Sequence, residues 1–189
     1  VHAVGVAAGE VMSHGAHLPA LLGHDGRRSG PLLEAALAAG LAQAGIEARS
    51  VGLMTTPGLA WLVRKGEFGL GCMLSASHNP AEDKGIKLLS ARGGKPTDED
   101  QAAMEQLLGG AQGLAHLPEV DEATFSTLEV DHKLERSYLE YLTQSEDLSL
   151  KGRSIVVDCA QGGGSHVAPE VLRALGADVH ALACSPTGD

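Results

Sequence analysis

Leu74-Ser75-Ala76-Ser77-His78-Asn79-Pro80, running on to Gly85-Ile86-Lys87-Leu88-Leu89, is the stretch on which the reading of this chain turns. The apolar run before it, Phe68-Gly69-Leu70-Gly71-Cys72-Met73-Leu74, predicts a buried strand. That strand stops at small polar residues closed by Asn79-Pro80, a loop signal. A second short apolar run, 86–89, leaves the loop and carries one lysine inside it. A hydroxyl, an imidazole and an amide therefore fall at a strand end, with an ammonium close by in sequence. In open α/β sheets, ligands bind at the carboxyl ends of strands. As residues alone, the same string also reads as a polar turn whose serines bond to local backbone.

Composition narrows the classes. The 189 residues are 43% hydrophobic, enough for a real core, but only 3% aromatic, so that core must be built from Leu, Ala and Val. A net charge of −10 argues against broad binding to nucleic acid or an anionic membrane, although a small phosphate needs only a local positive site. No apolar run approaches the ~20 residues of a membrane span, and no signal peptide is visible. Cys72, Cys159 and Cys184 are odd in number and widely spaced, which reads as buried free thiols in a reducing cytosol. Neither Cys-x-x-Cys nor His-x-x-x-His spacing suggests zinc.

Outward from the serine loop, the periodicity predicts alternating helices and strands. A helix spans 1–13 and a strand 18–22. The loop Gly23-His24-Asp25-Gly26-Arg27-Arg28-Ser29-Gly30 then feeds a helix with Pro31 in its first turn, Ser29 or Gly30 as its cap, and a core stripe of Leu33, Leu37 and Leu41. A strand over 46–53 follows, then a helix opened by Thr55-Thr56-Pro57 and ending near Lys65. Thr97 and Asp100 form a capping-box start to the next helix, which ends near Gly109. Residues 111–127 show no clear period and are expected to wrap the surface. From Asp131 a helix carries Leu134, Tyr138, Tyr141 and Leu142 on one face. A new unit starts at Arg153: a strand, Ile155-Val156-Val157, of the kind a parallel sheet buries on both faces, the turn Gln161-Gly162-Gly163-Gly164-Ser165, a helix with Val171, Leu172 and Leu175, and a strand over 179–184. Strand, glycine loop, helix and strand thus occur twice, as two βαβ units. The expected fold class is α/β, a mixed, mainly parallel sheet with helices on both faces, plus the first βαβ unit of a second similar domain. The boundaries read as 1–129, a linking helix over 130–150, and 151–189. Val1 is not a methionine and Asp189 closely follows a strand, so neither end looks like a natural terminus.

The string Ser-Ala-Ser-His-Asn-Pro with the Gly-Ile-Lys that follows closely resembles the phosphoserine loop of the α-D-phosphohexomutase family, and its wording is most like the amino-sugar branch. The 23–30 loop is similar to that family's Gly-x-Asp-x-Arg-x-Ser-Gly. The resemblance implies an intramolecular phosphotransferase of the isomerase class. It would interconvert glucosamine 6-phosphate and glucosamine 1-phosphate in cytoplasmic cell-wall amino-sugar synthesis, with a hexosamine 1,6-bisphosphate as intermediate and activator. It implies Ser77, rather than Ser75, as the phosphoryl carrier; His78 and Asn79 as its neighbours, one catalytic and one binding; and Lys87 as an active-site cation. It further implies that Arg27 reaches the phosphoserine, that Asp25 orients Arg27, and that Ser29 supports the helix start. The bland alternatives are a turn cap for Ser77, a solvent-facing lysine at 87, and a surface ion pair between Asp25 and Arg27.

The family's magnesium is held by a phosphoserine oxygen, here that of Ser77, and by an Asp-Gly-Asp-x-Asp-Arg loop. That loop, the sugar-reading Gly-Glu-x-Ser-Gly-His and the Asp-Gly-Ile-Arg-Gly segment are absent from this sequence. The expected content is therefore nearly all of a first domain and the opening of a second, one wall of an active site that does not turn over by itself. A phosphomannomutase or phosphoglucomutase specificity stays open, as does a non-catalytic sugar-phosphate-binding homologue. The implied partners are a small-molecule sugar phosphate, no nucleic acid and no membrane, with a homodimer left open. If the second sheet is started and not finished, its last strand is an exposed edge.

Overall fold

The computed structural model describes residues 1–80, 82–109, 128–144 and 148–188. Twelve elements follow one another: α1 (His2–Met12), β1 (Ala20–His24), α2 (Gly30–Gln43), β2 (Ala48–Leu53), α3 (Thr56–Lys65), β3 (Leu70–Leu74), β4 (Ile86–Ser90), α4 (Asp98–Gly109), α5 (His132–Thr143), β5 (Ser154–Asp158), α6 (Val167–Ala174) and β6 (Asp178–Leu182). Residues 111–127, expected to wrap the surface, lie outside the described part.

The first sheet has the order β2-β1-β3-β4. β1 is parallel to both β2 and β3, and β4 is antiparallel to β3. Side-chain alternation divides the core into two layers. Ala20 and Leu22 of β1 and Leu70, Cys72 and Leu74 of β3 point to one face, where Ala7, Ala8 and Met12 of α1, Leu37 and Leu41 of α2 and Met104 of α4 cover them. Leu21, Val51, Met73 and Leu89 point to the other, beneath Leu59, Trp61, Leu62 and Val63 of α3 and Tyr138 of α5. Trp61 stacks on Tyr141 with centroids 4.5 Å apart and lies 5.6 Å from Tyr138, so the few aromatics are concentrated where α5 docks on α3. This is the expected mixed, mainly parallel sheet with helices on both faces.

The topology fixes where a ligand can sit. From β1 the chain passes through α2 to β2 on one side, then returns through α3 to β3 on the other. The carboxyl ends of β1 and β3 thus flank the switch point of the sheet, the crevice that open α/β folds use for binding. The loops that leave these two strands are the 23–30 motif and the serine loop.

Local expectations held where a specific hydrogen bond underlies them. Thr97 and Asp100 bond reciprocally, the Thr97 amide to Asp100 Oδ2 at 3.3 Å and the Asp100 amide to Thr97 Oγ1 at 3.1 Å. The Thr55 hydroxyl caps α3 by accepting from the Gly58 amide at 3.1 Å. Other expectations need correction. Ser29 is the cap residue of α2, one of the two expected, but its side chain makes no cap bond, and its φ of −77° and ψ of −11° are already helical. Of the three cysteines only Cys72 is buried, while Cys159 and Cys184 are half-buried. β5 and β6 pair in parallel as a separate two-stranded sheet. Both alternate between exposed and half-buried residues, and Val156 is 67% exposed, so the apolar run is not covered on both faces. A sheet of two strands with α6 packed on it has one face to cover, and apolarity alone does not report the second.

Candidate active site

The serine loop is built from a chain of local bonds. β4 returns antiparallel to β3, pairing Leu74 with Ile86 and Met73 with Lys87. The Ser75 amide donates to the Gly85 carbonyl at 2.9 Å and closes the base of the loop. Ser75 is buried, and its hydroxyl accepts from the Ser77 amide at 3.0 Å, an ST-type turn. The Asn79 amide donates to the Ala76 carbonyl at 3.1 Å. Within this turn Ser77 takes a φ of +57°, a left-handed conformation that is unfavourable for a residue with a Cβ and characteristic of functional sites. It presents its hydroxyl to the Lys87 ammonium, which donates to Oγ at 2.7 Å. Sequence reasoning placed these two groups on the same loop and its exit strand; the antiparallel register is what turns them into contact.

The structure places Arg27 against the backbone of the serine loop. Its Nε donates to Asp25 Oδ2 at 3.2 Å. One terminal nitrogen donates to the Pro80 carbonyl and, at 3.3 Å, to that of Asp83. The other donates to the carbonyls of Ser77 at 3.1 Å and Asn79 at 2.7 Å. The guanidinium meets the serine loop at its backbone, the Ser77 carbonyl included. Asp25 completes the arrangement: its carboxylate accepts from Arg27, and its amide donates to the Leu74 carbonyl at 3.1 Å, tying the β1 loop to the end of β3. His24 is turned inward and accepts from the Gly26 amide through Nδ1 at 3.2 Å; burial holds its pKa below the usual imidazole range, with Asp25 opposing that effect.

A cleft of about 400 Å³ lies over these groups. Asp25, Arg27, Ser75, Ser77, His78 and Asn79 line one side, and Ala160, Gln161, Gly162, Gly163 and Gly188 the other. His78 and Asn79 are exposed and line the cleft. The Gln161–Ser165 turn, which the sequence marks only as a turn between strand and helix, therefore contributes to the opposite wall. Ala160 and Gln161 both have positive φ, 48° and 53°, and the Gln161 side-chain oxygen accepts from the Ser185 amide at 2.9 Å. Gly163 has a packing reason: a Cβ there would overlap the Met54 carbonyl at the turn into α3. The one sequence signal for this wall was a residue other than glycine opening a run of three glycines after a strand.

The residues present do not by themselves form a metal site. Among the described residues no three His, Cys, Asp or Glu side chains converge. Asp25, which lines the cleft beside the serine loop, is engaged by Arg27.

A serine-bearing loop and its lysine stand at the switch point of a mixed α/β sheet, the crevice in which open α/β folds bind small ligands. Residues 1–112 match the family described as phosphoglucomutase/phosphomannomutase, alpha/beta/alpha domain I. The chain belongs to this phosphohexomutase family. It is 43% identical over 187 residues to the phosphoglucosamine mutase of Aeromonas hydrophila, covering 98% of this chain and 41% of that protein. It is 38% identical over 189 residues to the phosphoglucosamine mutase of Solibacter usitatus, covering 100% and 41%. The crystal structure of a phosphoglucomutase/phosphomannomutase family protein from Burkholderia thailandensis superposes with a TM-score of 0.75 at 25% identity, covering 99% of this chain and 40% of that one. The chain thus spans about 41% of the length of the curated relatives it matches.

Proposed function

We propose that this chain supplies the phosphoryl-carrying wall of a phosphoglucosamine mutase. Ser77, as its phosphoserine, transfers its phosphoryl group to the free O1 of glucosamine 6-phosphate: the P–Oγ bond breaks and a P–O1 bond forms. The resulting 1,6-bisphosphate reorients and returns its O6 phosphoryl group to Ser77, leaving glucosamine 1-phosphate. The observation that carries this reading is the 2.7 Å contact from Lys87 Nζ to Ser77 Oγ. A fixed ammonium at that oxygen stabilises the negative charge that develops on it as the P–Oγ bond breaks. His78 and Asn79 line the same cleft as Ser77, which supports their assignment as neighbours of the transferring group. A magnesium ion, when bound, would neutralise phosphoryl charge; among the described residues this chain would offer it an oxygen of the Ser77 phosphate. Residues 1–129 act as the phosphoserine domain and 151–189 as the opening of a second domain across the cleft, in a cytoplasmic enzyme whose turnover needs more than these residues.

The test is incubation of the chain with a hexosamine 1,6-bisphosphate carrying labelled phosphate, followed by phosphopeptide mapping, beside Ser77→Ala. Label on Ser77, lost in the variant, is the expected result. Saturable sugar-phosphate binding with no label supports a non-catalytic homologue, and label on Ser75 overturns the choice of carrier.

A further inference from the structure

We infer that Arg27 is a positioning residue that acts through the backbone of the serine loop, and not a phosphate ligand. The inference deepens the phosphoryl-carrier reading and rests on it only for its consequence for transfer; the clamp itself stands on geometry.

A guanidinium has five N–H donors in a rigid fork and no acceptor. In Arg27 one donor goes to Asp25 Oδ2, two to the carbonyls of Pro80 and Asp83, and two to those of Ser77 and Asn79. This set accounts for every donor without a phosphate. The charge is answered as well, since Asp25 Oδ2 lies 3.2 Å from Nε and both side chains are less than one-fifth exposed. The carbonyls of Ser77, Asn79, Pro80 and Asp83 converge on one planar group, and carbonyls turned inward together need a cation of that shape between them. One of the four belongs to Ser77, the residue held at φ +57°. Fixing its carbonyl on one side and its amide on Ser75 Oγ, at 3.0 Å, on the other sets the direction of the Cα–Cβ bond, from which the hydroxyl meets Lys87 Nζ at 2.7 Å. Asp25 anchors the clamp to β3 through its amide bond to Leu74. The two motif loops at the switch point thus form one unit, in which the 23–30 loop sets the shape of the serine loop. The local cation for an anion at Ser77 is then Lys87.

The competing role, charge donated to a phosphate, makes a different prediction for Arg27→Lys. Lysine keeps the charge but cannot chelate four carbonyls. The experiment compares this chain with Arg27→Lys and Arg27→Gln by hydrogen exchange at the Ser77, Asn79 and Asp83 amides. The Cα and Cβ chemical shifts of Ser77 report its left-handed conformation, and Trp61 fluorescence follows global unfolding. Both variants should lose at least tenfold in loop protection and lose the left-handed shift signature at Ser77, while the unfolding transition moves little. Arg27→Lys retaining wild-type protection and signature would show that charge suffices and overturn the clamp, and so would an unchanged loop in both variants. Neither readout needs phosphoryl transfer. A failure of Ser77 labelling is therefore a separate result from a failure of the clamp.

Discussion

Glu34→Gln should stabilise the protein at alkaline pH and leave it unchanged near pH 4.5. Glu34 lies on α2 with only 4% of its surface exposed, and the Ser50 hydroxyl on β2 bonds to its two carboxyl oxygens at 3.1 and 3.3 Å. That hydroxyl also accepts from the Gly52 amide at 2.9 Å. Burial pushes the Glu34 carboxyl up from 4.5 to about 7, and the Ser50 bond opposes the rise without cancelling it. The folded state therefore holds the proton more tightly than the unfolded chain. The stability this gives is fully present below pH 4.5 and is lost as the pH rises through about 7, above which the fold contains a buried carboxylate. At roughly 1.4 kcal/mol per pH unit, the interval corresponds to a loss of about 3 kcal/mol. Glutamine has the same shape, accepts from Ser50 and carries no charge at any pH. Urea unfolding of both proteins between pH 4.5 and 8.5, followed by the fluorescence of Trp61, the single tryptophan, measures the difference directly. The wild type should lose about 3 kcal/mol more than the variant across that range. Curves that stay parallel, or a variant less stable than wild type at pH 8.5, would refute the assignment of a neutral buried acid.

Other outcomes follow from single contacts. Ser77→Gly relieves the left-handed backbone at position 77, so unfolding free energy should stay within about 1 kcal/mol of wild type or rise, while any labelling by a bisphosphate disappears. Gly30→Ala places a Cβ 2.7 Å from Cγ of His24. It should cost about 1–3 kcal/mol in urea unfolding, and NMR titration should show the His24 pKa moving back up toward its ordinary value as the ring is pushed out. Leu37→Ala removes a fully buried side chain between α2 and the sheet and should cost about 2–5 kcal/mol by the same measurement. Gly163→Ala should separate the Gln161–Ser165 turn from the turn into α3, seen as faster exchange of the Gly58 amide, whose acceptor is Thr55.

Much of the architecture was written in periodicity and punctuation. Pro31, the Thr97–Asp100 box and the Leu33, Leu37 and Leu41 stripe place helices because each acts within one or two turns of its own segment. Strand limits were less legible. The strand expected over 18–22 is Ala20–His24, because pairing with β3 continues through Gly23 and His24, residues whose types read as a loop. Ser77 and Lys87 were visible as types in a pattern; their contact depended on the register between β3 and β4, which no local feature states. Arg27 was visible as a charge, but whether a guanidinium faces an anion or a ring of carbonyls depends on the path of a loop fifty residues away. Glu34 was missed. Its signal was present in its position on the stripe of Leu37 and Leu41, where a carboxylate has to find a partner or a proton.

The serine and its lysine hang from strands of unequal security. Among the described residues β3 is flanked on both sides by hydrogen-bonded neighbours, whereas β4 is paired on one side only. Peripheral strands open at lower free energy than enclosed ones. Mild warming would then draw Lys87 away from Oγ while the loop that bears Ser77 still rests on its enclosed support. The hydroxyl would lose its cation before the protein loses its shape, which makes the rim of the sheet the point at which function fails first.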